Sequence, residues 1–455
     1  MQLLPRLCMA ASMTAGGDGD GNSNTNGNSN KLATAVSSSS STVSTSSSAA
    51  AAALSEASSS TSLPSLPSLS ATTSACLAAS FVHVTTLLPL SAASASSAAA
   101  VVAALDSTHG LVVARPAYVA LHDLATLEAT SISDSADDVA TAGSVKCVAH
   151  LHGGAAVVTG HQDGRLRLWR VSSRAPARLR LAAALPTVSD RLRRFPVPSN
   201  HVAVRRHHRR LWIEHADTVS GVAASVDGRL LFSVSWDKTL KVWALPSLRC
   251  LQSLPAHDDA VNAIAVAPDG TVYTGSADRR VRVWAPRPAS DKTPRAAHSR
   301  NPVYHLVATL SRHTAAVNAV AVGCGGQALY SGGNDRSIVV WEREDSASHM
   351  VALGALRGHR KAVLSIACAA GGLVVSGSAD QTVRAWRRAA DGRGYACVAV
   401  IEGHGTAVRS VAAAPVPAQK QRHGGDGGGD EEEWTLCSAS FDGEVRVWSL
   451  SMSGL

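Results

Sequence analysis

Beyond about residue 80, apolar and polar residues alternate in short runs that are separated by polar turns. An alternation with a period of two is typical of half-buried β-strands. Residues 232–243 show the arrangement, because two alternating runs flank a turn at Asp237, which predicts a β-hairpin. A short apolar run precedes such hairpins, as in residues 261–266 before the turn at 268–270. The pattern predicts units of three antiparallel strands, with a fourth strand leading into the next unit.

The unit recurs with fixed spacing. In six places a Ser or Thr stands four residues before an Asp, and that Asp stands six residues before a Trp. The six sets are Thr159, Asp163 and Trp169; Ser233, Asp237 and Trp243; Thr274, Asp278 and Trp284; Ser331, Asp335 and Trp341; Ser376, Asp380 and Trp386; Ser438, Asp442 and Trp448. Five units also have a His four residues before the Val that opens the first strand: His215, His257, His313, His359 and His404. Recurrence every few tens of residues indicates a repeat architecture.

This set of His, Ser or Thr, Asp and Trp resembles the repeat of the WD40 family. The resemblance implies an all-β fold, a β-propeller whose four-stranded blades surround a central channel. It also implies that the four residues of a repeat form hydrogen bonds to one another inside their blade. A buried carboxylate or imidazole is costly without partners, so a closed set of partners would fix the turn geometry. The set is complete in blades three to seven.

We expect seven blades, formed by residues 79–455. The first of the six clear units lacks the His, since Thr141 stands at the matching position. A degraded unit precedes it, in which residues 110–113 and 118–124 have the pattern of the last two strands and His122 replaces the Trp. Residues 81–87 form an alternating run without a blade of its own. We expect this run to complete the last blade, because closing the ring removes exposed sheet edges.

Residues 1–78 differ in composition from the rest, being almost entirely Ser, Ala, Thr, Asn and Gly. Such a segment buries too little apolar surface to offset its ordering entropy, which predicts a disordered N-terminal extension. A chloroplast transit peptide is the competing interpretation, because the segment is rich in Ser and poor in acidic residues, although its only basic residues are Arg6 and Lys31. No window approaches the roughly 18 apolar residues that a membrane-spanning helix needs, so we expect no membrane contact.

Two insertions interrupt the repeats. The first spans about residues 172–211 and ends in a basic patch formed by Arg205, Arg206, Arg209 and Arg210. Such a patch can bind nucleic acid or an acidic ligand, act as a nuclear localisation signal, or be part of a solvated loop. Trp212 beside it can stack on a base or pack on the next blade. The second insertion, about residues 417–433, is acidic and rich in Gly, and we expect a surface loop.

A closer resemblance covers roughly residues 144–450 and includes the first insertion. It is to the JINGUBANG-like group of plant WD40 proteins, and it rests on residues 159–164, 185–187, 204–207, 211–213, 235–239 and 256–262. The resemblance implies a non-enzymatic regulatory adaptor, linked to signalling or transcription, in the cytoplasm or nucleus of plant cells.

Enzyme functions find no support in the chain. It has no Gly-x-Ser-x-Gly, no P-loop and no dinucleotide fingerprint. The regular histidines are better explained as structural partners of Asp. His150 and His152 alternate on one strand face, but no third metal ligand is evident, and the eight cysteines are scattered singly. We therefore expect no catalytic residue, no metal and no cofactor.

The sites to expect are on a propeller face. Partners of WD40 proteins often contact the residue before the turn Asp and the residue after the strand-opening Val. We expect a protein partner, such as a transcription regulator or signalling complex, to contact Trp236, Phe441, Asn334, Gln162, Lys146, Asn262, Asn318 and Arg409. Large aromatics such as Trp236 and Phe441 often dominate binding energy. The other interpretation is that each ring folds over its own turn.

Two alternative functions stay open. Nucleic acid or an acidic ligand could bind the basic patch. The chain could also be the substrate receptor of a cullin-RING ubiquitin ligase, as some plant WD40 proteins are. Those proteins carry Trp-Asp-x-Arg at a repeat end, and residues 284–287 match this motif except for the Asp.

Overall fold

The fold is built almost entirely of short antiparallel β-strands. The computed structural model describes residues 66–69, 79–87, 101–104, 110–115, 118–124, 126–133, 144–151, 156–171, 178–205, 208–287, 302–389, 394–416 and 431–453. Thr141, His152, most of the predicted disordered extension and most of the predicted acidic loop lie outside these residues.

Blades three to six are four-stranded antiparallel sheets whose strands follow one another in the chain. The second strand of each is buried along its whole length, because it lies in the middle of both the sheet and the stack of blades. The strands are β12 (Val219–Ala224), β13 (Leu230–Ser235), β14 (Thr239–Ala244) and β15 (Arg249–Pro255); β16 (Val261–Val266), β17 (Val272–Ser276), β18 (Val281–Pro286) and β19 (Tyr304–Leu310); β20 (Val317–Gly323), β21 (Ala328–Gly333), β22 (Ser337–Arg343) and β23 (Met350–Arg357); and β24 (Val363–Ala369), β25 (Leu373–Ser378), β26 (Val383–Arg388) and β27 (Tyr395–Ile401). Short 3-10 turns, Cys324–Gly326 and Ala370–Gly372, connect the first two strands of blades five and six.

Blades one and two share an eight-stranded sheet. Its strands are β2 (Val101–Ala104), β3 (Gly110–Ala114), β4 (Val119–Asp123) and β5 (Ala129–Ser133) in blade one, and β6 (Val145–Leu151), β7 (Ala156–His161), β8 (Leu166–Val171) and β9 (Arg178–Leu185) in blade two. The two blades join at their outer strands, where β5 and β9 pair in parallel. His122 lies opposite Leu111 just as Trp169 lies opposite Val157, so His122 takes the position of the Trp, as predicted.

Blade seven closes the ring. It consists of β28 (Val408–Pro415), β29 (Glu431–Ser440), β30 (Val445–Ser453) and the N-terminal strand β1 (Ala79–Leu87). Strand β1 pairs with β30 from Ala79 opposite Met452 to Leu87 opposite Val445, as the alternating run at 81–87 predicted. Strand β2 of blade one lies beside both β28 and β6, so the inner strands form a closed circle. The prediction of an all-β, seven-bladed propeller is confirmed. The predicted acidic loop ends at residue 430, because residues 431–433 belong to β29 and pair with β30.

The core lies between neighbouring blades and depends on their close approach. Phe232 of blade three, for example, packs with Val261 of blade four. A Cβ at Gly332 would lie 2.6 Å from a methyl carbon of Val363, the strand-opening Val of the next blade. The glycine that follows the hydroxyl residue of a repeat thus lets the next inner strand pack against it. The same contact recurs at Gly160, Gly275 and Gly377.

The first insertion starts later than predicted and is folded. Arg178 and Arg180 lie in β9, the fourth strand of blade two, so the insertion comprises residues 186–214. It contains the helix α1 (Val188–Arg194), a 3-10 turn (Pro198–Asn200) and the hairpin of β10 (His201–Arg205) and β11 (His208–Leu211). The hydroxyl of Thr187 caps α1 by accepting from the backbone N–H of Asp190 at 3.2 Å. The described part of the insertion is therefore an ordered element rather than a solvated loop.

One short segment of the predicted extension is ordered on the propeller. The backbone N–H of Ala355 in β23 donates to the carbonyl of Pro67 at 2.9 Å, and the N–H of Leu69 donates to the carbonyl of Ala355 at 3.0 Å. Leu66 packs on the core between blades four and five, and Leu69 packs between blades five and six. Disorder across all of residues 1–78 is therefore wrong for 66–69, because Leu66 and Leu69 pack on the core of the propeller.

Candidate functional site

Four side chains form one hydrogen-bonded chain inside each of blades three to six. In blade four, Trp284 Nε1 donates to the Thr274 hydroxyl at 3.0 Å, which lies 2.8 Å from Nε2 of His257. Nδ1 of His257 lies 2.8 Å from a carboxylate oxygen of Asp278. An ionised carboxylate only accepts, so Nδ1 carries the imidazole proton and Nε2 accepts from the hydroxyl. Blades three, five and six repeat these contacts at 2.7 to 3.0 Å.

The charge states in these chains suit a structural role. Burial disfavours the Asp278 carboxylate, but hydrogen bonds from His257 and from two backbone N–H groups outweigh this cost and lower its pKa to about 2. The same balance lowers the pKa of Asp237, Asp335 and Asp380. Burial also lowers the pKa of His215, although Asp237 acts in the opposite direction. An imidazole held at both nitrogens by such partners has no free position for proton transfer to a substrate.

Blade seven departs from the predicted set. His404 Nε2 lies 2.7 Å from the Ser438 hydroxyl, but its Nδ1 faces Glu444 at 3.3 Å. Asp442 is exposed and instead accepts a short hydrogen bond from Ser440. The prediction that Asp442 completes the set is wrong, because the longer side chain of Glu444, two residues further on, takes the place beside the imidazole.

Blade two replaces the missing histidine from within its own second strand. The Thr159 hydroxyl accepts from Trp169 Nε1 at 2.8 Å and lies 2.7 Å from Nε2 of His161, which is fully buried. Asp163, lacking an imidazole partner, pairs with Arg167 at 3.0 Å. His161 was not among the predicted residues. The signal for it is a His two residues after the hydroxyl residue, in the one clear unit without an upstream His.

The predicted contact residues converge on the central channel. A cavity of about 380 Å³ opens there, where the second residues of the inner strands meet two turn aromatics. It is lined by six of the predicted residues, Lys146, Asn262, Asn318, Arg409, Trp236 and Phe441, and also by Ser220 and Leu364. We call this the channel mouth. Gln162 and Asn334 are exposed beside it, where Gln162 accepts from Ser144 and Asn334 accepts from Asn318.

Several of these side chains also connect neighbouring blades. Asn262 donates to the carbonyl of Val317 in blade five, and Asn318 donates to that of Val363 in blade six, each at 2.9 Å. Ser220 makes the equivalent bond to Val261. Asn262 and Asn318 were predicted as partner contacts, and in the structure each already bonds to the next blade at the channel mouth. Leu364, at the matching position of blade six, has no polar group with which to do so.

The two aromatics are presented outward on anchored turns. The exposed fractions of the side chains are 45% for Trp236 and 42% for Phe441. The backbone N–H of Trp236 donates to the carbonyl of Thr218, and that of Phe441 to Ala407, at 3.1 Å in both cases. Each turn is thereby tied to the start of its inner strand. Rigid exposed aromatics beside a concave polar surface are the side chains that interfaces favour.

The channel mouth carries positive charge. Lys146 and Arg409 line it from blades two and seven, and none of the described residues that line the cavity carries a carboxylate. Burial, and then the proximity of Arg409, lower the pKa of Lys146. Burial likewise lowers the pKa of Arg409. The guanidinium of Arg409 lies 5.9 Å from the centre of the Phe441 ring. Two cationic side chains and two exposed aromatic rings therefore meet at the channel mouth.

The basic patch is only partly described. Arg206 and the side chain of Arg205 lie outside the described residues. Arg209 is exposed, whereas Arg210 donates to the backbone carbonyl of His215 at 3.0 Å. Trp212 packs on the core between blades two and three, and Arg194 lies 4.5 Å above its ring, so the indole is already occupied.

The repeats match a known family. The WD domain, G-beta repeat family matches residues 139–170, 207–244, 248–285, 304–342, 350–387 and 395–449. The chain belongs to the WD40 repeat family. Family matches begin at the second blade, consistent with the altered first blade.

The relatives with known names are partial matches. The chain is 31% identical over 134 residues to Mitochondrial division protein 1 of Schizosaccharomyces pombe, covering 28% of this chain and 20% of that protein. It is 24% identical over 212 residues to the U3 small nucleolar RNA-associated protein 15 homolog of Gallus gallus, covering 43% and 37%. The chain thus spans well under two thirds of each relative. Across the described residues, none of the helices has the length and apolar character needed to cross a bilayer.

Proposed function

We propose that this chain is a non-enzymatic adaptor that binds a protein partner at the channel mouth. The observation that carries the proposal is the exposure of Trp236 and Phe441 on anchored turns beside the basic cavity. Their rings bury apolar area at little entropic cost, while Lys146 and Arg409 favour acidic groups on the partner. WD40 proteins generally act as scaffolds for protein interactions, which agrees with this geometry.

The biological setting belongs to the same proposal. The resemblance to the JINGUBANG-like group supports a regulatory role in plant cells, linked to signalling or transcription, in the cytoplasm or nucleus. We further propose that the propeller starts at residue 79.

Two other functions are retained as alternatives. Nucleic-acid binding through the basic patch is supported by the name of the chicken relative, which is associated with a small nucleolar RNA. Arg209 is its one exposed and described arginine. The role of substrate receptor for a cullin-RING ligase rests on Trp284 and Arg287 alone, since the family motif needs an Asp after the Trp.

Partner capture from plant extract tests the proposal. The baits are the wild-type chain, the pair Trp236→Ala/Phe441→Ala, and a control pair, Val303→Ala/Val351→Ala, that removes exposed apolar groups elsewhere. Equal thermal stability of the three is checked first. The proposal expects partners that are lost only with the aromatic pair. A fourth bait, Arg209→Gln, tests the basic patch. Partners that all the baits retain, or that are lost only with Arg209→Gln, would contradict the proposal.

A further inference from the structure

The helix α1 of the insertion exposes its apolar residues to solvent and directs polar residues towards the propeller. The exposed fractions are 71% for Val188 and 67% for Leu192 within the helix, and 66% for Phe195, the residue that follows it. Their spacing of four and three residues places them in one stripe along the helix. Exposed apolar residues scattered singly need no explanation, but a contiguous stripe marks an interaction surface.

The opposite face of α1 is polar and fixes the helix to the propeller. Asp190 is buried and pairs with Arg194 at 3.1 Å. Arg194 also donates to the carbonyl of Cys250 in β15 at 3.2 Å and lies over the ring of Trp212. Arg191 pairs with Glu214 at 2.7 Å. These contacts set the orientation of the helix, so the apolar stripe faces outward as a consequence of specific bonds.

The surroundings of the stripe are basic. The insertion has seven arginines, against Asp190 and Glu214 as its only carboxylates. Both carboxylates are engaged in the pairs just described, whereas Arg193 on α1 and Arg209 on β11 are exposed. Phe195 lies 5.6 Å from the ring of His201, which connects the stripe to the start of the hairpin.

We infer that this stripe, Val188, Leu192 and Phe195, is a second docking surface, for an acidic amphipathic helix of a protein partner. The apolar face of such a helix covers the stripe, and its flanking carboxylates face Arg193 and Arg209. Nucleic acid is a poorer fit, because valine and leucine neither stack on bases nor pair with phosphate. The surface lies on the insertion and is distinct from the channel mouth, so each can be present without the other.

Selection from a library of displayed random peptides tests this inference with the full chain as bait. The test variant is Val188→Ser/Leu192→Ser/Phe195→Ser, and the control variant is Val303→Ser/Leu306→Ser/Val351→Ser, which removes exposed apolar groups from blades four and five. The variants Arg193→Gln/Arg209→Gln and Trp236→Ala/Phe441→Ala are run in parallel. A single-stranded RNA and phosphatidylserine vesicles serve as competing probes.

The inference expects enriched peptides with apolar residues at helical spacing and flanking Asp or Glu. Their affinity should fall about tenfold or more in the stripe variant, fall less in the arginine variant, and stay unchanged in the control and aromatic variants. Peptides lost only with the aromatic pair would support the channel mouth and overturn this inference. Binding of RNA or vesicles without such peptides would also overturn it.

Two other occupants of the stripe, a second copy of the chain and its own acidic insertion, would give different results. A dimer in sedimentation that the stripe variant abolishes would make a second copy of the chain the occupant. Peptide enrichment that appears only after Asp426→Asn/Asp430→Asn would make the acidic insertion of this chain the occupant. Either result, or no enrichment with the wild-type bait, would overturn the inference of a separate partner helix.

Discussion

Arg409 of blade seven donates from its guanidinium to the backbone carbonyl of Lys146 in blade two at 2.9 Å. The bond passes over blade one, whose inner strand β2 lies between the two. Asn262 and Asn318 each reach only the next blade, so Arg409 is the member of this set that spans a whole blade. Blade one, which departs most from the repeat pattern, is thus bridged by the longest side chain of this set.

Replacing Arg409 by Met should weaken this bridge. The change keeps much of the side-chain volume but removes the hydrogen bond to Lys146, so we expect the free energy of unfolding to fall by about 1–3 kcal/mol. Urea unfolding of the wild type, Arg409→Met and the exposed control Arg360→Met measures the effect. Equal loss in both variants, or no loss in Arg409→Met, would show that the bridge does not stabilise the ring.

Removing His161 should destabilise blade two. The substitution His161→Ala leaves the buried Thr159 hydroxyl without its imidazole partner and opens a cavity beside Trp169, for a cost of about 2–4 kcal/mol. The exposed His349→Ala serves as the control, with thermal unfolding as the measurement. If the two variants melt at the same temperature, His161 is not the substitute for the missing repeat histidine.

The carboxylate of Asp278 should make the free energy of unfolding decrease in acid. Its folded pKa is about 2, below the ordinary 3.8, so its contribution is complete above about pH 4 and is lost as the pH falls through the folded value. We expect Asp278→Asn to be less stable than the wild type at neutral pH, with a gap that narrows below pH 4. Urea unfolding across that pH range measures the difference, with the exposed Asp345→Asn as the control. A gap of constant size contradicts the assignment.

A methyl group at position 354 should displace the segment 66–69. A Cβ on Gly354 would lie 2.6 Å from Leu69 and 2.7 Å from the carbonyl of Pro67, which leaves no room for the present pairing. We therefore expect Gly354→Ala to speed hydrogen exchange at the amides of Ala355 and Leu69. The variant Gly405→Ala, whose added carbon meets only Asp442 at 3.9 Å, is the control. Unchanged exchange in Gly354→Ala would mean that this segment is not held on β23.

Sequence reasoning succeeded where the repeat imposes spacing. Each Ser or Thr, Asp and Trp set fixes a hairpin, and the alternation at 81–87 was enough to predict that β1 closes the ring. The prediction failed where a residue outside the repeat pattern makes the hydrogen bond that the pattern assigned to another residue. His161 stands two residues after Thr159 instead of four residues before the strand-opening Val, and Glu444 stands two residues after Asp442. A fixed spacing cannot show that a longer or differently placed side chain reaches the same partner.

The site was predicted in outline only. The pattern predicted Lys146, Asn262, Asn318 and Arg409 as partner contacts on a propeller face. It could not show that the side chains of Asn262, Asn318 and Arg409 bond to other blades, because such bonds join repeats far apart in the chain. The fold of the insertion was likewise hidden. Its arginines predicted a basic patch. The structure shows in addition that Arg191 and Arg194 pair with Glu214 and Asp190, and that the apolar Val188, Leu192 and Phe195 are exposed.

Site-specific photo-crosslinking tests the central claim most directly. A photoreactive phenylalanine analogue replaces, in separate chains, Trp236, Phe441 and the control Val303, and each chain is irradiated in plant extract. We predict one common protein adduct from positions 236 and 441 that position 303 does not give, because both aromatics flank the same cavity. Adducts that appear equally from position 303, or none from 236 and 441, would contradict a partner bound at the channel mouth.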